Sequence, residues 1–400
     1  MPNTDNAKRT IAFFVQGHDV QYGMHRGTMT LLNGLRNLGW KTTMICMVDG
    51  PAADQCRTQE IDVRCLGDEL APVLSGGLVS KASKYLRLLR MEKSLAPRIA
   101  DILNEIGADG IHVRSPILVR IAGTAACLGD APCFWHMPNE ISDRYPFQLN
   151  QRIYRRLCRR RNVVPLANSH FTADSLGYGS IEPHILYVGV DAARFNPQNV
   201  EQVSRDDLGI PQDAVVLGIF ARLTESKGAG RILDAMASMT STHPPLHLLI
   251  VGGPTDTPFA RSLTHRMAEI QASDQLHLTG FVLDPQRYYG SIDIAVNSRI
   301  DPEPFGQSVV EAMLMEKPVL VHALGGPAEI ITDRTTGWHV TQPTAHAFSQ
   351  GISQALKDRS KWVEMGKQAR EEALAKYSAV AMIQEYTQIV EQTLTPKSLD

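Results

Sequence analysis

No apolar run in this 400-residue sequence is long enough to cross a bilayer, which takes about 20 such residues in succession. The first ten residues are polar and have no apolar h-region, which predicts no signal peptide. The six cysteines (46, 56, 65, 127, 133 and 158) form no CxxC and no other metal-ligand spacing. They read as reduced thiols, as expected of a cytoplasmic chain. Net charge is nearly absent, at a formal −2, so nothing global argues for nucleic acid as a partner. There is no internal repeat and no low-complexity tract. The first strand is not followed by GxGxxG, which excludes the usual dehydrogenase fingerprint.

What is present is a globular composition, 43% hydrophobic and 20% charged, at a length that suits two domains. Residues 11–15 read as a buried strand. A turn with Gly17 and Gly23 leads to a helix through Leu31, Leu32, Leu35 and Leu38, stopped by Gly39. Residues 42–48 read as the next strand. Strand, glycine loop, helix, strand is a Rossmann-like opening. The same order returns later, with a strand at 215–220 and a helix through Ile232, Leu233 and Met236. Residues 50–80 show no pattern that places an element.

Residues 298–340 hold the densest chemistry. In Asp301-Pro302-Glu303-Pro304 each proline restricts the residue before it to extended backbone, so no helix starts there. From Gly306 a helical pattern runs through Val309, Val310, Met313 and Leu314. Pro318 ends it, residues 319–321 read as a buried strand, and Gly325-Gly326-Pro327 as a tight turn before a second short helix. A helix that starts at a glycine offers free backbone N–H groups and a positive dipole end to an anion. Glu303 precedes that end, and Glu311 lies about two turns inside. Carboxylates accept hydrogen bonds from sugar and ribose hydroxyls, so the layout suits a sugar nucleotide. On spacing alone a turn glutamate and a solvated helix glutamate stay open as the alternative.

Glu303-Pro304-Phe305-Gly306, Glu311-Ala312-Met313 and Gly325-Gly326-Pro327-Ala328-Glu329 together resemble the E-x7-E donor signature of retaining family-4 glycosyltransferases. The resemblance runs from about residue 11 and is weakest over 50–105. It implies an α/β chain of the GT-B fold, two Rossmann-like domains facing across a cleft. Residues 1–195 would form the acceptor side and 196–372 the nucleotide-sugar donor side, with 373–400 a helix crossing back. A linker is expected near 192–212. By the same resemblance Glu303 contacts the transferred sugar and Glu311 the ribose. The backbone of Phe305, Gly306, Gln307 and Ser308 would meet sugar and diphosphate. Arg222 and Lys227 match the family's Arg-x4-Lys-Gly motif. A planar fork and a point charge at the head of a helix suit a leaving diphosphate. His136 resembles the family's cleft histidine. Gly23 matches the second glycine of the family's Gly-Gly loop, Tyr22 standing for the first. Gly253 and Phe281 fall on elements beside the donor. The sequence departs from the family at Glu316-Lys317-Pro318, where a glycine usually precedes the proline, and at Tyr187-Val188.

The implied reaction is front-face displacement with retention, from a nucleotide diphosphate sugar to a glycan or lipid-linked acceptor. It requires no cofactor and no metal. Two cationic stretches stand apart from this. One runs through Lys81, Lys84, Arg87, Arg90 and Lys93, the other through Arg152, Arg155, Arg156, Arg159, Arg160 and Arg161. Each reads as a solvated helix face, or as a peripheral contact with anionic lipid at the inner membrane face. A nucleotide-sugar epimerase and a non-catalytic sugar-nucleotide-binding module remain as rivals. Nothing in the sequence speaks to oligomeric state.

Overall fold

The computed structural model describes residues 8–18, 23–73, 77–142, 148–177, 179, 181–239 and 245–395. The chain divides into two compact units, Met1–Gly189 with Ala379–Asp400 (unit 1) and Val190–Ser378 (unit 2). Among the described residues unit 1 is built on seven strands: β1 (Thr10–Val15), β2 (Lys41–Cys46), β3 (Asp62–Cys65), β4 (Gly110–Val113), β5 (Cys133–Met137), β6 (Val163–Ala167) and β7 (His184–Ile185). Their order is β3-β2-β1-β4-β5-β6-β7, and every pairing is parallel. Helices α1 (Gly23–Asn37), α2 (Pro51–Thr58), α3 (Leu78–Ile106), α4 (Val119–Leu128), α5 (Leu149–Arg160) and α6 (His170–Ser175) connect them.

Strand alternation sends each strand's side chains into two cores. Ala12 and Phe14 enter the one that holds Leu95 and Ile99 of α3 and Ile121 of α4. Ile11 and Phe13 enter the other, with Leu31, Leu32 and Leu35 of α1. Burial on both faces explains why β1 reads as a continuous apolar run. A buried charge cluster ties three helical segments together. Glu92 of α3 accepts from Thr124 Oγ1 at 2.6 Å, and pairs with Arg161 at 2.8 Å and with Arg120. Arg161, the last member of the second cationic stretch, is therefore part of the packing and not of a solvated face.

The described residues of unit 2 form six parallel strands: β8 (Val215–Phe220), β9 (Leu246–Val251), β10 (Leu276–Gly280), β11 (Ile294–Asn297), β12 (Val319–His322) and β13 (Gly337–Val340), in the order β10-β9-β8-β11-β12-β13. Its helices are α7 (Ala229–Ala237), α8 (Pro258–Glu269), α9 (Gln307–Leu314), α10 (Gly326–Ile330), α11 (Ala345–Lys357) and α12 (Trp362–Lys376). The last helix, α13 (Ala379–Leu394), belongs to unit 1 and packs on α1 through Met382, Tyr386, Ile389 and Val390. Each sheet reverses its strand order once, between β1 and β4 and between β8 and β11. In open α/β sheets ligands bind beyond the strand ends at such switch points.

The stretch 192–212 is not a free linker. Arg194 donates to Gln286 Oε1 (3.2 Å) and to the Leu283 carbonyl (2.7 Å), and Val203 N–H to the Arg287 carbonyl (2.8 Å). These bonds fasten it to unit 2. The chain passes between the units at 189/190 and 378/379, and the sequence places these bounds at 195 and 372. Glu316 follows α9 at φ 57, a left-handed position that a glycine would occupy without strain.

Candidate functional site

In unit 2 the loops after β8 and β11 meet. Gly228 follows the turn Glu225–Lys227 at φ 78, and a Cβ there would lie 1.8 Å from the Ser298 carbonyl oxygen. Only glycine permits that approach. Ser298 Oγ donates to the Lys227 carbonyl at 2.8 Å, and Ile300 N–H to the Ser226 carbonyl at 2.9 Å. The backbone under Lys227 is thereby fixed. Lys227 Nζ donates to Glu303 Oε2 at 2.8 Å, while Arg299 Nη1 donates to Glu303 Oε1 at 2.9 Å. One carboxylate, its side chain 15% exposed, holds two cations. The trio carries a net positive charge beside the amino end of α9.

Glu303 is itself held by backbone. Its N–H donates to the Leu324 carbonyl (3.3 Å), and its carbonyl accepts from Gly326 N–H (2.7 Å). Gly325, at φ 82, lets the two segments touch, since a Cβ would sit 2.3 Å from the Glu303 carbonyl oxygen. This is the physical content of the glycine pair in the sequence. Gly306, at φ 103, caps α9, whose first N–H groups have no partner within the helix. Gln307 and Ser308 are half-buried on that first turn. Glu311 lies one turn further, 5% exposed, and its Oε1 accepts from Gln307 Nε2 at 3.2 Å.

The other expected residues fall in several places. Arg222 is exposed, two positions past β8. Leu223 N–H next to it donates to the Gly253 carbonyl at 2.9 Å. A Cβ on Gly253 would lie 3.0 Å from Phe281 N, so these two adjoin, and Phe281 is 71% exposed. The Phe305 ring is buried against Tyr377 (6.2 Å, edge-on), which leaves only its backbone to face a ligand. In unit 1, Gly23 is the first residue of α1, and residues 19–22 before it lie outside the described ones.

His136 departs furthest from expectation. It lies inside β5, 1% exposed, with Nε2 at 3.0 Å from the Leu186 carbonyl and its ring edge-on to His112. Burial, then the nearby Arg114 and His112, hold its pKa well below the usual histidine range, so it is neutral. A packed neutral ring is the structural role, and the role of a ligand-facing histidine is not supported by this placement. Arg299 and Ser298 are the members of this candidate site that the sequence reading did not point to. Arg299 is four residues before Glu303, but no helix joins them, so the spacing carries no signal.

Residues 200–372 match the family described as glycosyl transferases group 1. A D-inositol 3-phosphate glycosyltransferase of Corynebacterium urealyticum is 28% identical over 216 residues, half of each chain. A lipopolysaccharide 1,2-N-acetylglucosaminetransferase of Salmonella typhimurium is 24% identical over 188 residues, 45% of this chain and 49% of its own. The chain thus spans about half the length of the curated relatives it matches. A glycosyltransferase structure from Rickettsia africae superposes with a TM-score of 0.79 at 21% identity, covering 98% of this chain and 100% of its own. HepE of Anabaena, solved in complex with UDP, gives 0.78 at 19%, covering 96% and 100%. At such identities the likeness carries the fold, the paired Rossmann-like sheets of the GT-B class. The part of the chain that resembles the glycosyl transferases of group 1, residues 200–372, is the part that holds Arg222, Lys227, Glu303 and Glu311.

Proposed function

We propose that this chain is a retaining glycosyltransferase. It moves a sugar from a nucleotide diphosphate sugar, of the UDP or GDP type, to a hydroxyl of a glycan or lipid-linked acceptor. The setting would be glycan, polysaccharide or glycolipid biosynthesis. The observation that carries this reading is the Lys227–Glu303–Arg299 trio at the β8/β11 switch point, beside the amino end of α9. Lys227, Arg222 and the first N–H groups of α9 would meet the diphosphate. Their charge stabilises the negative charge that grows on it as the bond to the anomeric carbon breaks. The acceptor oxygen forms its bond on the same face, and its proton passes to the departing diphosphate oxygen. Glu303 would turn from its cations to a hydroxyl of the sugar, and Glu311 would accept from the ribose. The relatives' printed activities and the UDP bound to HepE support the donor class. Their printed activities name different acceptors, so the acceptor follows from neither.

The proposal includes a cytoplasmic enzyme that docks peripherally on anionic lipid. No described helix is long and apolar enough to cross a membrane. The test of the reaction is proton NMR of the product formed from an α-linked UDP- or GDP-sugar panel with candidate hydroxyl acceptors. An α-linked product is expected. A β-linked product, or donor consumption that yields only an epimerised sugar nucleotide, overturns the reading.

A further inference from the structure

Arg299 is the member of the unit 2 trio that the reaction above leaves without a role. It stands two residues past β11, and its main chain is held on both sides. Its carbonyl lies 2.7 Å from Nδ1 of the buried His322, at the end of β12, and Ile300 N–H donates to the Ser226 carbonyl at 2.9 Å. The side chain is 27% exposed. Nη1 donates to Glu303 Oε1, and Nε is buried with no partner among the described residues. A buried donor without an acceptor destabilises a fold, so packing alone does not account for an arginine here. Among the described residues, Glu303 is the one carboxylate that pairs with Arg299 or with Lys227. Its oxygens are shared out: Lys227 meets Oε2 at 2.8 Å, and Arg299 meets Oε1 at 2.9 Å. The two cations are therefore already spaced for two oxygens that share one atom. A phosphate offers the same kind of edge as a carboxylate, and a guanidinium pairs with either.

We propose that Arg299 is a further donor-binding residue: with Lys227 it grips the phosphate next to the transferred sugar, in the place that the Glu303 carboxylate fills in the free chain. The choice of phosphate rests on the transferase reading, in which Glu303 moves to a hydroxyl of the sugar, so that the place it vacates adjoins that sugar. The exchange of one oxyanion for another does not rest on it. Titration calorimetry uses the full chain as wild type, Arg299→Gln and Arg299→Lys, each with and without Glu303→Ala. The probes are inorganic diphosphate, UDP, GDP and the two corresponding monophosphates. Arg299→Gln should weaken whichever nucleoside diphosphate binds by ~10-fold or more, the scale of one charge-assisted hydrogen bond, and leave its monophosphate unchanged. Arg299→Lys keeps the charge and loses the fork, so it should weaken the diphosphate less. It carries the test if Arg299→Gln fails to fold. Both losses should persist in the Glu303→Ala chain. A residue that only positions Glu303 would have no effect there, because the group it acts through is gone. Inorganic diphosphate should bind the Glu303→Ala chain and weaken in the same way when Arg299→Gln is added. Undiminished diphosphate affinity in the folded Arg299 variants overturns the proposal. So does a loss that vanishes with Glu303→Ala, or a Glu303→Ala chain that binds no inorganic diphosphate. Equal weakening of the monophosphate overturns the assignment to the sugar-side phosphate. Inorganic diphosphate that binds where neither nucleotide does counts against the transferase reading alone.

Discussion

Glu303 is the residue on which the unit 2 site turns, because in the free protein its carboxylate occupies the cations that a diphosphate would need. The Lys227 contact at 2.8 Å and the Arg299 contact at 2.9 Å have to be exchanged when the ligand arrives. Glu303→Ala should therefore leave nucleoside diphosphate affinity unchanged or tighter, while sugar transfer falls ~10-fold or more, on the scale of one charge-assisted hydrogen bond. Titration calorimetry beside a turnover assay reads both, and a weakened diphosphate affinity would count against the exchange. His112 raises a different question. Both its ring nitrogens are buried without a partner among the described residues, and its ring packs on Phe13, His136 and Tyr386. Burial, with Arg114 adding to it, holds its pKa down at about 3. The folded state then keeps His112 neutral where the unfolded chain binds a proton. Stability is lost as pH falls from about 6.5 toward 3, by up to about 1.4 kcal/mol per pH unit for this group. His136 shifts in the same direction. His112→Phe should fold at pH 7 and lose stability less steeply on acidification, as read by urea unfolding at several pH values. An unchanged slope would show that His112 does not contribute.

Among the elements, α3 and α5 present the surface with the most to test. Both pack against α4, which places them on one face of the unit 1 sheet. Val79 (86%) and Leu86 on α3, and Leu149 and Ile153 on α5, are exposed among Arg90, Lys93, Arg152 and Arg156. Exposed apolar groups among cations suit an anionic membrane surface, to which each cation adds about 1 kcal/mol. Co-flotation with anionic vesicles, absent with neutral ones and weakened by salt, is the expected result. Protein that stays at the bottom of the gradient at low salt removes the docking face. Element by element, the sequence was most legible where both faces of a strand are buried. The observed β8 and β9 coincide with the apolar runs at 215–220 and 246–251. It was least legible over 50–80, where α2 is only eight residues and β3 is an edge strand of mixed polarity. Arg161 looked like its neighbours in the cationic run, because nothing local announces a buried Glu92 from another helix. His136 was misplaced for a related reason. Its neighbours in sequence mark a strand end, but the observed strand continues to Met137 and turns the ring into the core.

At the scale of the molecule, two sheets of the same kind carry two different sets of charge. The unit 2 switch point holds cations balanced by Glu303, and the unit 1 switch point is lined by Arg114, His18 and His25 among others. Strand order explains both positions, whereas the side chains at the strand ends decide what each position binds. The motif residues Arg222, Lys227, Glu303 and Glu311 were legible because their spacing is tied to one strand end and one helix start. Arg299 and Ser298 were not, because their contacts exist only after β8 and β11 are side by side. The central claim is that the unit 2 cations hold the diphosphate of a nucleotide sugar. Titration calorimetry of UDP and GDP into wild-type and Lys227→Ala protein tests it most directly. One of the two nucleotides should bind the wild type, and its affinity should fall ~10- to 100-fold in the variant, the loss expected for one charged hydrogen bond, with thermal unfolding unchanged. Equal affinity in both proteins would contradict the assignment of the donor site to Lys227.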